Sequence, residues 1–205
     1  MKFVNGLWWP DDEEHLLSQG INYQDKVRDK AMSYCSTFDG VAIDVGAHVG
    51  IASLHFAKHF AEVAAIEGDP DTYECLKKNT SSDSNIWLYN TVIGIPGEHV
   101  SFHKPDKSNS GHNVPSVTPF SLPCFSLNGL NIDPILIKVD VEGFESKVVQ
   151  GSLETFLKAE VVILECKGIG FDKDYPMKAI DLLVSSGFII KDKISHDYVL
   201  VNQRK

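Results

Sequence analysis

The chain has 205 residues, enough for one ordinary domain with a little left over. Hydrophobic residues make up 43% and charged residues 23%, which excludes wholesale disorder and low-complexity scaffolds. With 19 basic against 28 acidic residues the net charge is −9, and arginine occurs only at Arg28 and Arg204, so broad capture of phosphate backbones is disfavoured.

No apolar run approaches the roughly 20 residues of a membrane span, and the start, Met1-Lys2-Phe3-Val4-Asn5-Gly6, lacks the apolar stretch of a secretory signal. The expectation is a cytoplasmic chain, neither secreted nor anchored. Cys35, Cys75, Cys124 and Cys166 are widely spread, without a Cys-x-x-Cys pair, and read as reduced thiols.

Residues 1–38 read as an N-terminal helical cap segment. It carries Trp8-Trp9-Pro10, the acids Asp11 to Glu14, and a helix from about Asn22 to Cys35. The acids suit helix capping and the helix dipole, and a lid is the functional alternative. From residue 39 to 205, short Val- and Ile-rich runs alternate with helical periodicity, the pattern of a doubly wound, mostly parallel sheet. Val41 to Val45 is the first strand, and Ile51, Leu54, Phe56, Ala57 and Phe60 mark the helix after it. Val63 to Glu67 is the second strand. Asp69-Pro70-Asp71 then supplies an N-cap, a first-turn proline and an acidic turn for a helix running to Asn79. Ile86 to Ile93 is the third strand, and Val100 and Phe102 suggest a short extra one. A polar loop follows from Lys104 to about Pro123, of a length that favours a functional role. Ile135 to Asp140 is the fourth strand, Glu145 to Leu157 one helix, and Val161 to Glu165 the fifth strand. A helix over Met177 to Val184 leads to a C-terminal antiparallel hairpin, Phe188 to Ile194 with Tyr198 to Val201.

The first chemical segment is Asp44-Val45-Gly46-Ala47-His48-Val49-Gly50, leaving a buried strand for a helix. Its glycines permit a sharp turn and close backbone approach. The G-x-G-x-x-G fingerprint is absent, since Asp44 and His48 flank Gly46, and no Gly-Lys-Ser/Thr follows. Asp44 would repel a phosphate here, so a nucleotide-like ligand with a cationic head fits better. Glu67 closes the second strand 23 residues after Asp44, near the spacing at which an acid meets ribose hydroxyls. One carboxylate for an ammonium and one for a ribose describe S-adenosylmethionine better than NAD or ATP.

The second segment is Ile137-Lys138-Val139-Asp140-Val141-Glu142-Gly143-Phe144-Glu145, at the carboxyl end of the fourth strand, where open α/β sheets bind ligands. VAIDVGAHVG paired with IKVDVEGFE and a following VVQGS resembles the FkbM family of S-adenosylmethionine-dependent methyltransferases over about residues 41–166. The resemblance implies a Rossmann-like class I methyltransferase fold and O-methylation of a carbohydrate or small-molecule hydroxyl. It places Asp44, Gly46, Ala47 and Gly50 along the methionine part of the cofactor, Glu67 and Gly68 at the ribose, and Asn90, Thr91 and Val92 beside the adenine. Asp140 would stand near the transferred methyl with Glu142 on the same strand end. Two positions depart from the family pattern. Phe125-Ser126-Leu127-Asn128 replaces a Thr-Leu-Asp stretch, and Glu67-Gly68 replaces Glu-Pro.

An alcohol is a poor nucleophile at neutral pH, so a base or a metal must help. Asp140 is the first candidate for base or acceptor-orienting group, with a strand-end cap of the next helix as its structural alternative; Glu142 and, in the polar loop, His112 with Asn113 follow. His48 sits within the glycine turn, where its backbone matters more than its ring. His55 and His59 are four apart but lack the His-Glu-x-x-His pattern. No metal is therefore expected, a divalent ion on Asp140, Glu142 and Glu165 being the alternative. Against the O-methyltransferase stand a nucleic-acid methyltransferase, disfavoured by the acidic balance, and a cofactor-binding module without turnover. The expected partners are thus a small-molecule or carbohydrate acceptor, without nucleic acid or membrane.

Overall fold

The structure is a computed structural model describing residues 1–14, 22, 24–103, 114–116, 121–167 and 175–205. Its centre is a seven-stranded sheet of order β12-β13-β11-β10-β3-β4-β5. The strands are β3 (Val41–Val45), β4 (Glu62–Glu67), β5 (Ile86–Asn90), β10 (Pro134–Val139), β11 (Val161–Glu165), β12 (Phe188–Ile194) and β13 (Asp197–Asn202). All neighbouring pairs are parallel except the two that involve β13, which slots between β11 and β12. The C-terminal hairpin is thus present, and its antiparallel member lies one strand in from the edge.

Both faces are covered, which is why the inner strands are apolar on both sides rather than alternating. On one face Ile43, Val45, Ile137, Val139, Val162 and Leu164 meet α4 (Glu145–Gly151), α5 (Leu153–Lys158) and α6 (Tyr175–Ser185). On the other, Ala42, Leu136, Val161, Ile163 and Val199 meet α1 (Asp25–Met32) and α2 (Ile51–Ala57). Beyond β4, α3 (Pro70–Asn79) starts as expected: Asp69 Oδ1 accepts the amide of Thr72 at 2.9 Å, with Pro70 in the first turn.

Three elements differ from the sequence expectation. First, residues 2–9 form a hairpin, β1 (Lys2–Val4) with β2 (Leu7–Trp9), rather than part of a helical cap. Its turn is Asn5-Gly6, with φ of 52° and 85°, the two-residue turn whose twist matches paired strands. The hairpin docks through Trp9, 1% exposed against Val49 and Cys75. Asn79 pins it: its Oδ1 accepts the Trp8 amide at 2.7 Å, while its Nδ2 donates to the carbonyls of Trp8 and Val49 at 2.9 and 2.8 Å.

Second, the run from Ile86 to Ile93 is split at Thr91. Its end, β6 (Val92–Ile93), leaves the main sheet and pairs with β9 (Leu122–Phe125) in a second sheet completed by β7 (His99–His103) and β8 (Val114–Ser116). Third, the helix expected over Glu145 to Leu157 breaks at Ser152 into α4 and α5. The break is built. Gly151 abuts the carbonyl of Gly94, which would stand 2.0 Å from a Cβ there. The Ser126 hydroxyl donates to the Gly151 carbonyl at 2.6 Å, and Ser152 Oγ accepts the Leu127 amide at 2.9 Å. Asn128 Oδ1 accepts both the amide and the hydroxyl of Thr155, at 3.1 and 2.9 Å. The two residues that depart from the family pattern, Ser126 and Asn128, therefore hold a helix junction.

Candidate active site

The carboxyl ends of β3, β4, β10 and β11 bring both sequence motifs together at one end of the sheet. Side chains alternate along a strand, so on the face shared with α1 and α2 the apolar rows end in charge. Ala42 is followed by Asp44, Leu136 by Lys138 and Asp140, Ile163 by Glu165, and Val199 is preceded by Asp197. The register sets Lys138 beside Asp44 and Glu165 beside Asp197.

Gly46 and Gly50 take φ of 80° and 98°, in the left-handed region. The reason at Gly46 is backbone crowding: a Cβ there would lie 1.8 Å from the carbonyl oxygen of Asp140. The glycine that sequence reasoning assigns to a ligand's approach thus also lets the two motif strands close on each other. The amides of Gly46 and Ala47 both donate to the Ile66 carbonyl at 2.9 Å. His48, with φ of 53°, donates its amide to Glu67 Oε2 at 2.9 Å, while its ring lies beside Trp9 and 4.0 Å from Glu13.

Asp44 is fully buried. Its Oδ2 accepts the Ser53 hydroxyl at 2.6 Å, and its Oδ1, 3.9 Å from the Lys138 ammonium, has no hydrogen-bond partner among the described residues. Glu67 Oε1 accepts the Asp69 amide at 2.8 Å. Burial pushes the Glu67 carboxyl up to about 7 despite these two amides. Asn90 Nδ2 donates to the Glu67 carbonyl at 2.8 Å, and Val92 is buried in the core. An orphaned buried oxygen on Asp44 suits a cationic donor, and each Glu67 oxygen keeps a lone pair beyond its amide, so this end fits the ammonium and ribose of S-adenosylmethionine.

At the other end, Asp140 Oδ2 lies 3.2 Å from the Lys138 ammonium. Burial opposes ionisation of Asp140, yet Lys138, with a hydrogen bond from Glu165 and the nearby charge of Lys167, holds it well below the usual carboxylate range. It does not serve as the cap of α4. The carboxylate at that helix start is Glu145, whose Oε1 accepts the Gly143 amide at 2.9 Å. Glu142, in the left-handed conformation at φ of 52°, and Glu165 share the Lys167 ammonium at 3.1 and 2.9 Å. Burial and the Asp140 charge push Glu142 up to about 7 and Glu165 up to about 10. From the position just before α1, Gln24 Nε2 donates to Glu165 Oε1 at 3.0 Å and reaches Asp197 Oδ2 at 3.5 Å.

Asp140, Glu142 and Glu165 bring one oxygen each within 4.8 Å of one another, a spacing open to a metal ion. The Lys167 ammonium already bridges two of the three. His112 and Asn113 lie outside the described residues. Sequence reasoning missed Lys138, Lys167, Gln24 and Asp197. Lys138 alone left a signal, as a lysine interrupting the buried run Ile135-Leu136-Ile137-Lys138-Val139.

Set against known proteins, the methyltransferase FkbM domain matches residues 44–190. The chain belongs to the FkbM methyltransferase family. No curated protein sequence matches it. Among solved structures, precorrin-6y C5,15-methyltransferase from Geobacter metallireducens superposes with a TM-score of 0.54 at 13% identity, covering 96% of this chain and 94% of that one. An FkbM methyltransferase from Methylobacillus flagellatus gives 0.54 at 17% identity, over 80% of this chain. This FkbM chain spans only 43% of that protein's length. A proposed tRNA (m1A22) methyltransferase from Streptococcus pneumoniae gives 0.51 at 14% identity, over 88% and 71% of the two chains. At these identities the likeness establishes the Rossmann-like methyltransferase fold and leaves the acceptor open. No helix among the described residues is long and apolar enough to cross a membrane.

Proposed function

We propose that this FkbM protein transfers the methyl group of S-adenosylmethionine to a hydroxyl oxygen of a carbohydrate or small-molecule acceptor. The observation that carries the reading is the junction of the two motifs: Asp44 and Asp140, from different strands, flank the same lysine at one end of the sheet. Asp44 would hold the cofactor's ammonium, Glu67 its ribose, and Asn90 with Thr91 the edge of its adenine, over a floor of Gly46, Ala47, Gly50 and Gly68.

When bound, S-adenosylmethionine supplies an electrophilic methyl on a sulfonium. Asp140 accepts a hydrogen bond from the acceptor hydroxyl and so aims its oxygen lone pair, the geometric part of catalysis. During transfer the oxygen–carbon bond would replace the methyl–sulfur bond, whose electron pair stays on sulfur as a thioether; the hydroxyl proton would become strongly acidic, so a carboxylate held below the usual range would still take it. Glu142 borders the same strand end and limits which acceptor enters. The concentration of carboxylates here supports a neutral acceptor over a polyphosphate one.

A screen of glycans, nucleotide sugars and small alcohols, read by S-adenosylhomocysteine release, tests the reading. Asp140→Asn should keep cofactor affinity within about threefold and lose at least 100-fold in turnover, the range for a positioned proton acceptor. Transfer to nitrogen or to RNA, with no alcohol methylated, would replace it.

A further inference from the structure

We propose that Lys138 is a positioning residue of this site: from next to the carboxyl end of β10 it fixes the charge and aim of Asp140 and ties that carboxylate to Asp44. The inference rests on the methyltransferase reading above for its purpose, but not for its test.

Lys138 is 4% exposed in a strand whose other members are apolar. A lone buried ammonium is strongly disfavoured, and its presence requires partners. It has two: Asp140 Oδ2 at 3.2 Å, two residues on and just past the end of β10, and Asp44 Oδ1 at 3.9 Å, directly across in β3. The first is a hydrogen bond. The second is a charge contact, which leaves the buried Asp44 Oδ1 without a hydrogen bond among the described residues. The other titratable groups facing the ammonium are Glu165 on β11 and Asp197 on β13.

This geometry divides labour. The carboxylate of Asp140 could otherwise turn toward Glu165, which also bonds it. The Lys138 ammonium on Oδ2 holds it as an anion in one orientation. Because the same ammonium faces Asp44, a cation arriving at Asp44 and the ionisation of Asp140 act on one another through Lys138.

The test is titration by carbon-13 NMR of protein labelled at aspartate carboxyls, with Asp140 assigned by its loss in Asp140→Asn. In the native chain Asp140 should stay ionised to about pH 3, and in Lys138→Met its midpoint should rise above about pH 5. Lys138→Arg keeps the charge and should keep the low midpoint. If Lys138→Met does not fold, lysine-labelled Asp140→Asn gives the reciprocal reading, a fall of at least one pH unit in the Lys138 midpoint. An Asp140 midpoint in Lys138→Met within half a unit of native, or an unmoved Lys138 midpoint in Asp140→Asn, overturns the proposal. Neither measurement needs methyl transfer, so a failed acceptor screen leaves the inference standing and a failed titration leaves the activity standing. Where an acceptor is found, Lys138→Met should lower kcat with KM nearly unchanged and add an acid limb to its pH profile.

Discussion

Gly46 faces the carbonyl of Asp140 so closely that a Cβ on it would lie 1.8 Å from that oxygen. The contact joins the ends of β3 and β10, so Gly46→Ala must push apart the two strands that carry the candidate site. A drop of on the order of 10 °C in melting temperature, or failure to fold, is expected. Gly97 separates crowding from conformation: its φ is 89°, yet a Cβ there meets nothing within 4 Å. Gly97→Ala should cost only the strain of a left-handed residue, about 1 kcal/mol. Equal losses in the two variants would show that the approach to Asp140 is not what requires glycine.

Cofactor affinity should depend on pH through Glu67. Burial raises its carboxyl to about 7, so the ligand-free protein holds a proton there below that value, and a ribose diol bonds better to the ionised form. S-adenosylhomocysteine affinity, measured by calorimetry, should therefore rise as pH increases through about 7. Glu67→Gln should be weaker at pH 8 and nearly flat in pH. The same raised value carries a stability term of opposite sense. The folded state keeps a proton that the unfolded chain, at about 4.5, gives up, so that contribution is full below about pH 4.5 and is lost as pH rises through about 7.

The N-terminal hairpin depends on one amide side chain. Asn79→Ala removes three hydrogen bonds to the backbone of Trp8 and Val49 and strands partners that burial has taken from water. A loss of about 2–3 kcal/mol is expected, with the Trp8 amide exchanging faster than amides of β10. Uniform loss of protection across both would contradict a locally anchored hairpin.

Asn128 supplies from outside the helix the acceptor that α5 needs in its first turn. Asn128→Ala should cost about 1–2 kcal/mol, while Asn128→Asp keeps the acceptor and adds a charge suited to a helix start, and should be neutral to slightly stabilising. If both variants lose stability equally in denaturant titration, the bonds to Thr155 are not the reason for the residue.

Much of this architecture is legible in the chain because local and global preferences agree. Asp69-Pro70 announces α3, and the apolar runs 41–45, 135–139 and 161–165 announce central strands buried on both faces. Reading fails where a tertiary contact overrides a local pattern. Ile86 to Ile93 has the composition of one strand, yet Thr91 is where the chain passes to the second sheet. Glu145 to Leu157 has one helical period, yet Gly151 is pressed against Gly94. The Asn5-Gly6 turn joins flanks of three residues each, too short to give the alternation that marks a strand. At the site, Asp44, Glu67 and Asp140 stand at strand ends and can be found by position. Gln24, Lys167 and Asp197 meet them only through the fold, from sequence distances no motif spans.

The placement of β13 has a consequence for biosynthesis. Gln24 reaches Glu165 and Asp197 together, so the site joins side chains 173 positions apart in sequence. The strand that brings Asp197 is the last of the sheet in sequence, yet it must pair between two strands made earlier. Until it emerges from the ribosome, β11 has an open edge and Glu165 lacks its neighbour. Nascent chains should hold the first five parallel strands before the charged cluster around Glu165 is complete, which makes the late pairing of β13 with β11 the step that separates a foldable precursor from the finished sheet.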